Sequence, residues 1–190
     1  AGVAFFATGG TAAAPDNVKW NGASNIDVTG AIYMPHTNLT LSGNVLLNQS
    51  VGADIYCQKP LTLSGTVCGG SLNGLRLASG TLILQGGNTF TNHLRTSNAD
   101  GATFNINSDA ALGHTNNGLF ATYSTTLQTA GGTSFTLAPS RTFTSSAGKT
   151  ISFDVPSGSA LTVPGPITGN AIAKKNAGAL TLAGANTYSG

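Results

Sequence analysis

The chain has 190 residues, of which 40% are hydrophobic and only 7% are charged, with eight Lys or Arg balanced by six acidic residues. That charged share is far below the roughly 25% of an ordinary globular protein, while the apolar share is too high for a disordered chain. The net charge of +2 is spread along the sequence, and no apolar run approaches the length of a membrane helix, so neither nucleic-acid binding nor membrane insertion of this segment is expected.

The 26 glycines, with many Thr, Ser, Asn and Leu, favour short strands joined by tight turns. Within residues 1–30, Val18, Trp20, Ile26 and Val28 alternate with polar residues and predict two short strands. The single tryptophan, Trp20, is expected to cover the first coil as part of an N-terminal cap, because an exposed sheet end invites edge-to-edge association.

Residues 31–70 contain two similar segments, each with Ile-Tyr, a turn with Pro, and then Leu-Thr-Leu-Ser-Gly. The leucine pairs are Leu39 with Leu41 and Leu61 with Leu63. Residues two apart in a strand point to the same side, so each pair predicts a strand with both leucines facing a core.

The apolar pairs recur at steps of 22, 21 and 22 residues, which predicts an all-β fold, a parallel β-helix with about 21–23 residues per coil and little or no helix. Coils stack about 4.8 Å apart, so equivalent residues form inward columns. One predicted column holds Leu39, Leu61, Leu82 and Phe104, and the next holds Leu41, Leu63, Leu84 and Ile106.

A longer motif occurs twice, as GTLILQGGNTFTN at 80–92 and as GALTLAGANTYSG at 178–190, at an offset of 98 residues. The offset pairs Leu82 with Leu180, Leu84 with Leu182, Asn88 with Asn186 and Phe90 with Tyr188. Each copy predicts a strand and a corner, where the asparagine bonds turn backbone or stacks on asparagines of adjoining coils. The aromatic residue is expected to re-enter the core.

These two copies, with the sequence DAALG at 109–113 after the first, resemble the passenger-associated repeat of bacterial autotransporters. That repeat is usually written as a glycine, TLTLSGANTYSG, a variable strand and ALG. The resemblance covers residues 72–190 and implies a right-handed parallel β-helix in a secreted or cell-surface passenger. The second copy stops at Gly190, where the family pattern continues into another strand. A fragment of a longer passenger and a last coil completed by a neighbouring subunit therefore both stay open.

Cys57 and Cys68 flank the strand at 61–63. A disulfide that pins one coil and two buried free thiols are both compatible with the sequence, because sequence separation does not fix the Cα distance that the bond needs.

Catalytic and metal-binding patterns are weak. The six acidic residues are Asp16, Asp27, Asp54, Asp100, Asp109 and Asp154, and no interval between neighbours equals one coil. Ser108, Asp109 and His114 supply the residue types of a hydrolase triad without a nucleophile elbow. His36, His93 and His114 are isolated from one another, so no metal or cofactor is predicted.

The sequence therefore predicts a single elongated β-solenoid over 1–190, with a cap at 1–30, two similar coils at 31–70 and the repeat-like module at 71–190. Its predicted function is a non-catalytic stalk, adhesin or filament subunit outside the bacterial cell. Expected partners are other copies joined head to tail through the solenoid ends, or a host surface or glycan receptor. The alternative is a carbohydrate-binding or carbohydrate-active β-helix, which would need converging acids.

Overall fold

The computed structural model describes residues 3–6, 16–20, 26–28, 31–34, 37–49, 53–57, 59–71 and 74–190. The predictions for the Trp20 side chain and for His36 lie outside the described residues. The described part of 1–30 consists of three strands that pair in register with strands of 31–70; for example, Val18 pairs with Leu39.

The described residues form 23 strands and one 3-10 helix (Asp109–Leu112). In chain order the strands are β1 (Val3–Phe6), β2 (Asp16–Trp20), β3 (Ile26–Val28), β4 (Ala31–Met34), β5 (Thr37–Leu41), β6 (Val45–Gln49), β7 (Ala53–Cys57), β8 (Leu61–Leu63), β9 (Val67–Ser71), β10 (Leu75–Ser79), β11 (Thr81–Leu84), β12 (Leu94–Thr96), β13 (Ala102–Ile106), β14 (Leu119–Ala121), β15 (Thr125–Thr129), β16 (Ser134–Thr136), β17 (Phe143–Ser145), β18 (Thr150–Asp154), β19 (Ala160–Val163), β20 (Ile167–Gly169), β21 (Ala171–Lys175), β22 (Ala179–Leu182) and β23 (Thr187–Tyr188).

Successive strands fall on three faces of a parallel β-solenoid. Among the described strands, face 1 has the order β1-β4-β7-β10-β12-β14-β17-β20-β23, and face 2 has the order β2-β5-β8-β11-β13-β15-β18-β21. Face 3 consists of β3-β6-β9 and, later in the chain, β16-β19-β22. Between these two groups, turns and the 3-10 helix take the place of strands. The predicted all-β parallel solenoid is confirmed.

Both predicted inward columns are confirmed on face 2. Leu61 pairs with Leu39 and Leu82, and Leu82 pairs with Phe104. The second column pairs Leu41, Leu63, Leu84 and Ile106 in the same way, and all eight side chains are buried. Alternation places these residues inside because a strand turns every second side chain toward the same side of the sheet.

The coil length is not constant. The next residues of the first column are Leu127 and Phe153, and Phe153 follows Leu127 by 26 positions, beyond the predicted 21–23. The extra residues lie in turns between strands, so the column itself continues without a break. Phe153 meets Phe143 of face 1 edge to face, with ring centroids 5.8 Å apart, and thus joins two walls of the core.

The two copies of the long motif occupy different faces. The strand of the first copy is β11 on face 2, whereas the strand of the second copy is β22 on face 3. Leu180 and Leu182 are half-buried against the core, because β22 has one described neighbour, β19. The prediction that Tyr188 re-enters the core is wrong: Tyr188 is 36% exposed, whereas Phe90 is fully buried.

Candidate functional site

An open pocket of about 380 Å³ lies on face 3, where turns and the 3-10 helix replace strands. Its walls come from the first copy of the motif, from the 3-10 helix with the loop after it, and from the turn before β17. The lining residues are Asn88, Thr89, Asp109, Ala110, Gly113, His114, Thr115 and Arg141. Asp109, His114 and Arg141 are the ionisable groups among them.

Arg141 is the largest fully buried side chain among the described residues. Its Nε donates to Asp109 Oδ1, and its Nη2 donates to Asp109 Oδ2 at 2.9 Å, which makes a bidentate ion pair. Its Nη1 donates to the carbonyls of His114 and Asn117, each at 3.1 Å. Arg141 therefore fastens the 3-10 helix and the following loop to the next coil.

The same contacts control the charge of Asp109. Partial burial alone would raise the pKa of this carboxyl, but the hydrogen bond and charge of Arg141, with the Ala138 N–H, hold the pKa below its usual value. The Ala138 N–H reaches Asp109 Oδ1 at 2.8 Å. Asp109 is thus a fixed carboxylate that is poorly suited to donate a proton.

Two buried amides bond backbone groups in this region: Asn88 in the pocket wall and Asn117 in the loop after the 3-10 helix. Asn88 accepts the Val67 N–H at 2.7 Å and donates to the Ala111 carbonyl at 2.7 Å, so it bonds the backbone of two neighbouring coils. Asn117 donates to the carbonyls of Phe90 and Leu112, at 2.8 and 3.0 Å. The predicted backbone-bonding role of Asn88 is what the structure shows, but its amide meets backbone groups and not another asparagine.

The structure does not assemble Ser108, Asp109 and His114 as a triad. Ser108 Oγ donates to Asn107 Oδ1 at 3.3 Å, and His114 Nδ1 accepts the Asn116 N–H at 3.3 Å. Asp109 is held by Arg141 instead. These three residues therefore do not form the nucleophile, base and orienting acid of an acyl-transfer site.

The other two described carboxylates lie elsewhere. Asp100 pairs with Lys149, with Oδ1 3.0 Å from Nζ, at the corner between faces 1 and 2. Asp154 accepts from Gln128 Nε2 at 2.8 Å on the outer side of face 2. Asp100, Asp109 and Asp154 thus belong to three separate clusters, and no pair of them forms the two-carboxylate arrangement of a glycosidase. The side chains of Asp16, Asp27 and Asp54 lie outside the described residues.

The outer side of face 2 carries hydrogen bonds that run from coil to coil. Asn105 Nδ2 donates to Gln128 Oε1 at 2.6 Å, and Gln128 continues the chain to Asp154. Lys175 Nζ reaches Thr126 Oγ1 at 3.2 Å across the same surface. Polar side chains therefore tie successive coils together outside the core, as the apolar columns do inside it.

A second outward set lies on face 1, and we call it the face 1 outer column. It consists of Arg76, Arg95, Phe120, Thr144, Thr168 and Thr187, which pair in register from coil to coil. The residues flanking Arg76 and Arg95 in their strands are buried, so both arginines point outward. The Thr144 and Thr168 hydroxyls lie 3.0 Å apart.

Arg95 is the least satisfied charged group of this column. Its guanidinium carbon lies 5.1 Å from the ring centroid of Phe120, within the range of a cation–π contact. Its Nε is buried and has no hydrogen-bond partner among the described residues. Nearby, His93 Nδ1 accepts the Gly118 N–H at 2.9 Å, and burial together with the charge of Arg95 lowers the pKa of His93.

The sequence left open a disulfide or two buried free thiols; in the structure Cys57 and Cys68 are both free, and only Cys57 is buried. Cys57 lies in β7 of face 1 and is buried, and burial raises the pKa of its thiol to about 11. Cys68 follows the fully buried Val67 in β9 of face 3, so alternation turns it outward. The two side chains leave opposite sides of the coil wall, which the Cβ geometry of a disulfide does not permit.

The site residues predicted from the sequence do not include Arg141, Asn117, Arg95 or Phe120. Arg141 and Asp109 stand 32 positions apart, which is not one coil, so the coil period could not pair them. The Arg95–Phe120 pair could be found only by aligning β12 with β14, across a coil of 25 residues. Its only sequence signal is a cation and an aromatic residue at equivalent outward positions.

No family model, curated protein or solved structure matches the chain. The described residues contain no group of three or more His, Cys, Asp or Glu placed to hold a metal ion. In the same residues we find no helix with the length and apolar character needed to cross a membrane.

Proposed function

We propose that the protein is a non-catalytic β-solenoid that works outside the bacterial cell as a stalk, an adhesin or a filament subunit. The observation that carries this proposal is the continuous stacking of the strands of faces 1 and 2 across residues 74–190. Apolar columns run from coil to coil inside, and side-chain hydrogen bonds link coils outside. A solenoid of this kind provides length and a repeated surface.

The composition supports a position outside the cell. Only 7% of the residues are charged, and most outer positions of faces 1 and 2 carry hydroxyl, amide or charged groups, with Ile83 and Phe120 as apolar exceptions. The resemblance of the two motif copies to the passenger-associated repeat also supports this location.

Antibody labelling of intact cells that produce the protein tests the location. The antibody should bind without permeabilisation of the cells, and binding only after permeabilisation would contradict the location.

The state of the described carboxylates supports a scaffold over an enzyme. Asp100 and Asp109 are each paired with a cation. The Ser124 N–H and then Lys149 lower the pKa of Asp100, while Arg141 and the Ala138 N–H lower the pKa of Asp109 against the effect of its partial burial. Incubation with polysaccharides of several classes should release no reducing ends and no unsaturated products. Sustained release of either kind by the pure protein, lost on mutation of an acidic residue, would establish the carbohydrate-active alternative.

The form of the particle separates the scaffold roles. Negative-stain images and small-angle scattering should show an elongated rod, because parallel coils add about 4.8 Å of length each. If the protein is a filament subunit, light scattering at rising concentration should show growth by whole rod lengths. A monodisperse monomer at all concentrations would reject the filament and leave the stalk or adhesin role.

A further inference from the structure

We propose that the face 1 outer column binds a carboxylate-bearing saccharide, with the outer edge of the Arg95 guanidinium on a sugar carboxylate and the threonines on the sugar hydroxyls. This inference rests on the proposed adhesive function, and it names the ligand class for one face of the molecule.

The first reason is the state of Arg95. Its Nε is buried without an acceptor, and the described residues place no carboxylate against it; the two described salt bridges to Asp belong to Arg141 and Lys149. A guanidinium that packs on the Phe120 ring loses part of its hydration. Its two outer nitrogens keep their donors, and their planar fork matches a carboxylate.

The second reason is the charge along the column. Arg76 pairs in register with Asp54 on one side and with Arg95 on the other. The register neighbours of Arg95 are Arg76 and Phe120, so no opposite charge is in register with Arg95. A carboxylate bound at Arg95 would supply that opposite charge, whereas a neutral ligand would not.

The third reason is the continuation of the column beyond Phe120. Thr144, Thr168 and Thr187 follow one per coil, and the first two already share a hydrogen bond. Coils repeat about every 4.8 Å, which is close to the spacing of residues in an extended polysaccharide. Hydroxyl groups at this repeat suit a chain of sugar hydroxyls, while an acidic peptide would present no matching hydroxyl series.

The fourth reason is His93, which lies next to this surface. Its Nδ1 is occupied by the Gly118 N–H, so in the neutral ring the proton is on Nε2. His93 therefore adds a donor beside Arg95 and not an acceptor. Arginine, neutral histidine and threonine hydroxyls together form a surface rich in donors, as an acidic sugar requires.

The experiment measures binding of hexagalacturonate to the whole chain by isothermal titration calorimetry, with maltohexaose as the neutral oligosaccharide and hexaglutamate as the acidic peptide. Hexagalacturonate should bind, more weakly as NaCl is raised, and the other two should not. Arg95→Gln should reduce the affinity about tenfold, the loss expected for one charge-assisted hydrogen-bonded contact. Thr168→Val should reduce it about threefold, as for a neutral hydrogen bond.

The matched control is Lys175→Gln, which removes the same unit of charge from the outer side of face 2 and should leave the affinity unchanged within about twofold. Circular dichroism of each variant shows whether it is folded, and perturbation of the Thr144 and Thr168 methyl NMR signals in the parent chain locates the ligand independently of mutation.

Equal losses in Arg95→Gln and Lys175→Gln, equal binding of hexaglutamate, or no binding by the parent chain would each overturn the inference. None of these results bears on whether the chain is a non-catalytic rod. Cleavage of hexagalacturonate would instead refute the proposed function while leaving the binding site in place.

Discussion

The two copies of the long motif share their sequence and their corner but not their surroundings. In each copy the glycine that follows the strand approaches a glycine of the preceding coil: a Cβ at Gly86 would lie 2.2 Å from the Gly65 carbonyl oxygen, and a Cβ at Gly184 would lie 2.2 Å from that of Gly165. Yet one copy turns from face 2 toward face 3, and the other turns from face 3 toward face 1.

The difference shows that the motif specifies a strand with a corner and does not specify a face. In the face 2 column that contains Leu82, the equivalent residue four coils later is Lys174. Leu180 lies six residues beyond Lys174, on the next face. An offset of 98 residues is therefore four coils and one further face. The same apolar pair can serve any face, because each face offers the same core and the same interstrand spacing.

The asparagines of the two copies make the same kind of backbone hydrogen bond but differ in burial. Asn88 is 5% exposed and makes two hydrogen bonds to backbone, whereas Asn186 is half-buried and accepts the Ile167 N–H at 2.9 Å. In both copies the amide oxygen accepts from the first residue of a strand on the previous coil. What differs is the number of coils that cover the motif, and this determines how much each side chain stabilises the fold.

The largest difference in stability loss between the two copies is expected at the aromatic position, Phe90 in the first and Tyr188 in the second. Phe90→Ala should lower the free energy of unfolding by about 3–5 kcal/mol, because it leaves a cavity among fully buried side chains. Tyr188→Ala should lower it by less than about 1 kcal/mol, since Tyr188 is already exposed. Urea unfolding followed by circular dichroism measures both, with Phe90→Leu as a milder control. Equal losses would mean that both aromatic residues are equally buried in solution.

The next largest difference in stability loss between the two copies is expected at the asparagines. Asn88→Ala should cost about 2–3 kcal/mol, because the Val67 N–H and the Ala111 carbonyl lose a buried partner. Asn186→Ala should cost about 1 kcal/mol, since a single bond at a half-buried site is lost. The same urea series measures both, and amide exchange at Val67 should accelerate in the first variant. A larger loss for Asn186→Ala would contradict the assignment of these contacts.

Much of the fold could be predicted from the sequence, because the signal is local and periodic. Leucine pairs at steps of 21 and 22 residues identified the face 2 columns, since strand alternation and coil stacking leave one way to bury them. The face of Leu180 could not be predicted, because the coil at Phe153 is longer by a few residues and the sequence does not mark where its turns end.

The candidate sites were harder to predict, for a related reason. Arg141 reaches Asp109 through turns that have no period, so their pairing depends on the path of the loop and not on register. Arg95 and Phe120 are in register, but two turns of unequal length separate them in the chain. The free cysteines follow from the same alternation that identified the core, once Val67 is known to point inward.

A smaller effect should appear at the glycine corner that the copies share. Gly86→Ala should cost about 1–3 kcal/mol, because the new methyl group meets a backbone oxygen in a coil covered on both sides. Gly184→Ala meets the same contact but lies after β22, which has one described neighbour and can shift, so its cost should be smaller. Gly87→Ala is the matched control, since a Cβ there meets nothing within 4 Å. A neutral Gly86→Ala variant would show that this corner is looser than the structure indicates.

The smallest expected effect is a dependence of stability on pH in the surroundings of the first copy. Asp109 and His93 both have lowered pKa values in the folded chain, so the unfolded chain binds more protons as the pH falls and stability decreases. The His93 part should be lost from about pH 6.5 downward, and the Asp109 part only below about pH 3.8, since these are the ordinary pKa values from which each group departs. Urea midpoints measured across this range should fall in two steps. His93→Gln should remove the upper step. Asp109→Asn should reduce the lower step, to which the exposed Asp100 contributes a smaller part because its pKa is also lowered.

Both variants lose some stability at every pH because the Gly118 N–H and Arg141 lose a strong acceptor. Steps of unchanged size in both variants would place the acid sensitivity elsewhere in the chain and would remove pH as a means of distinguishing the two copies.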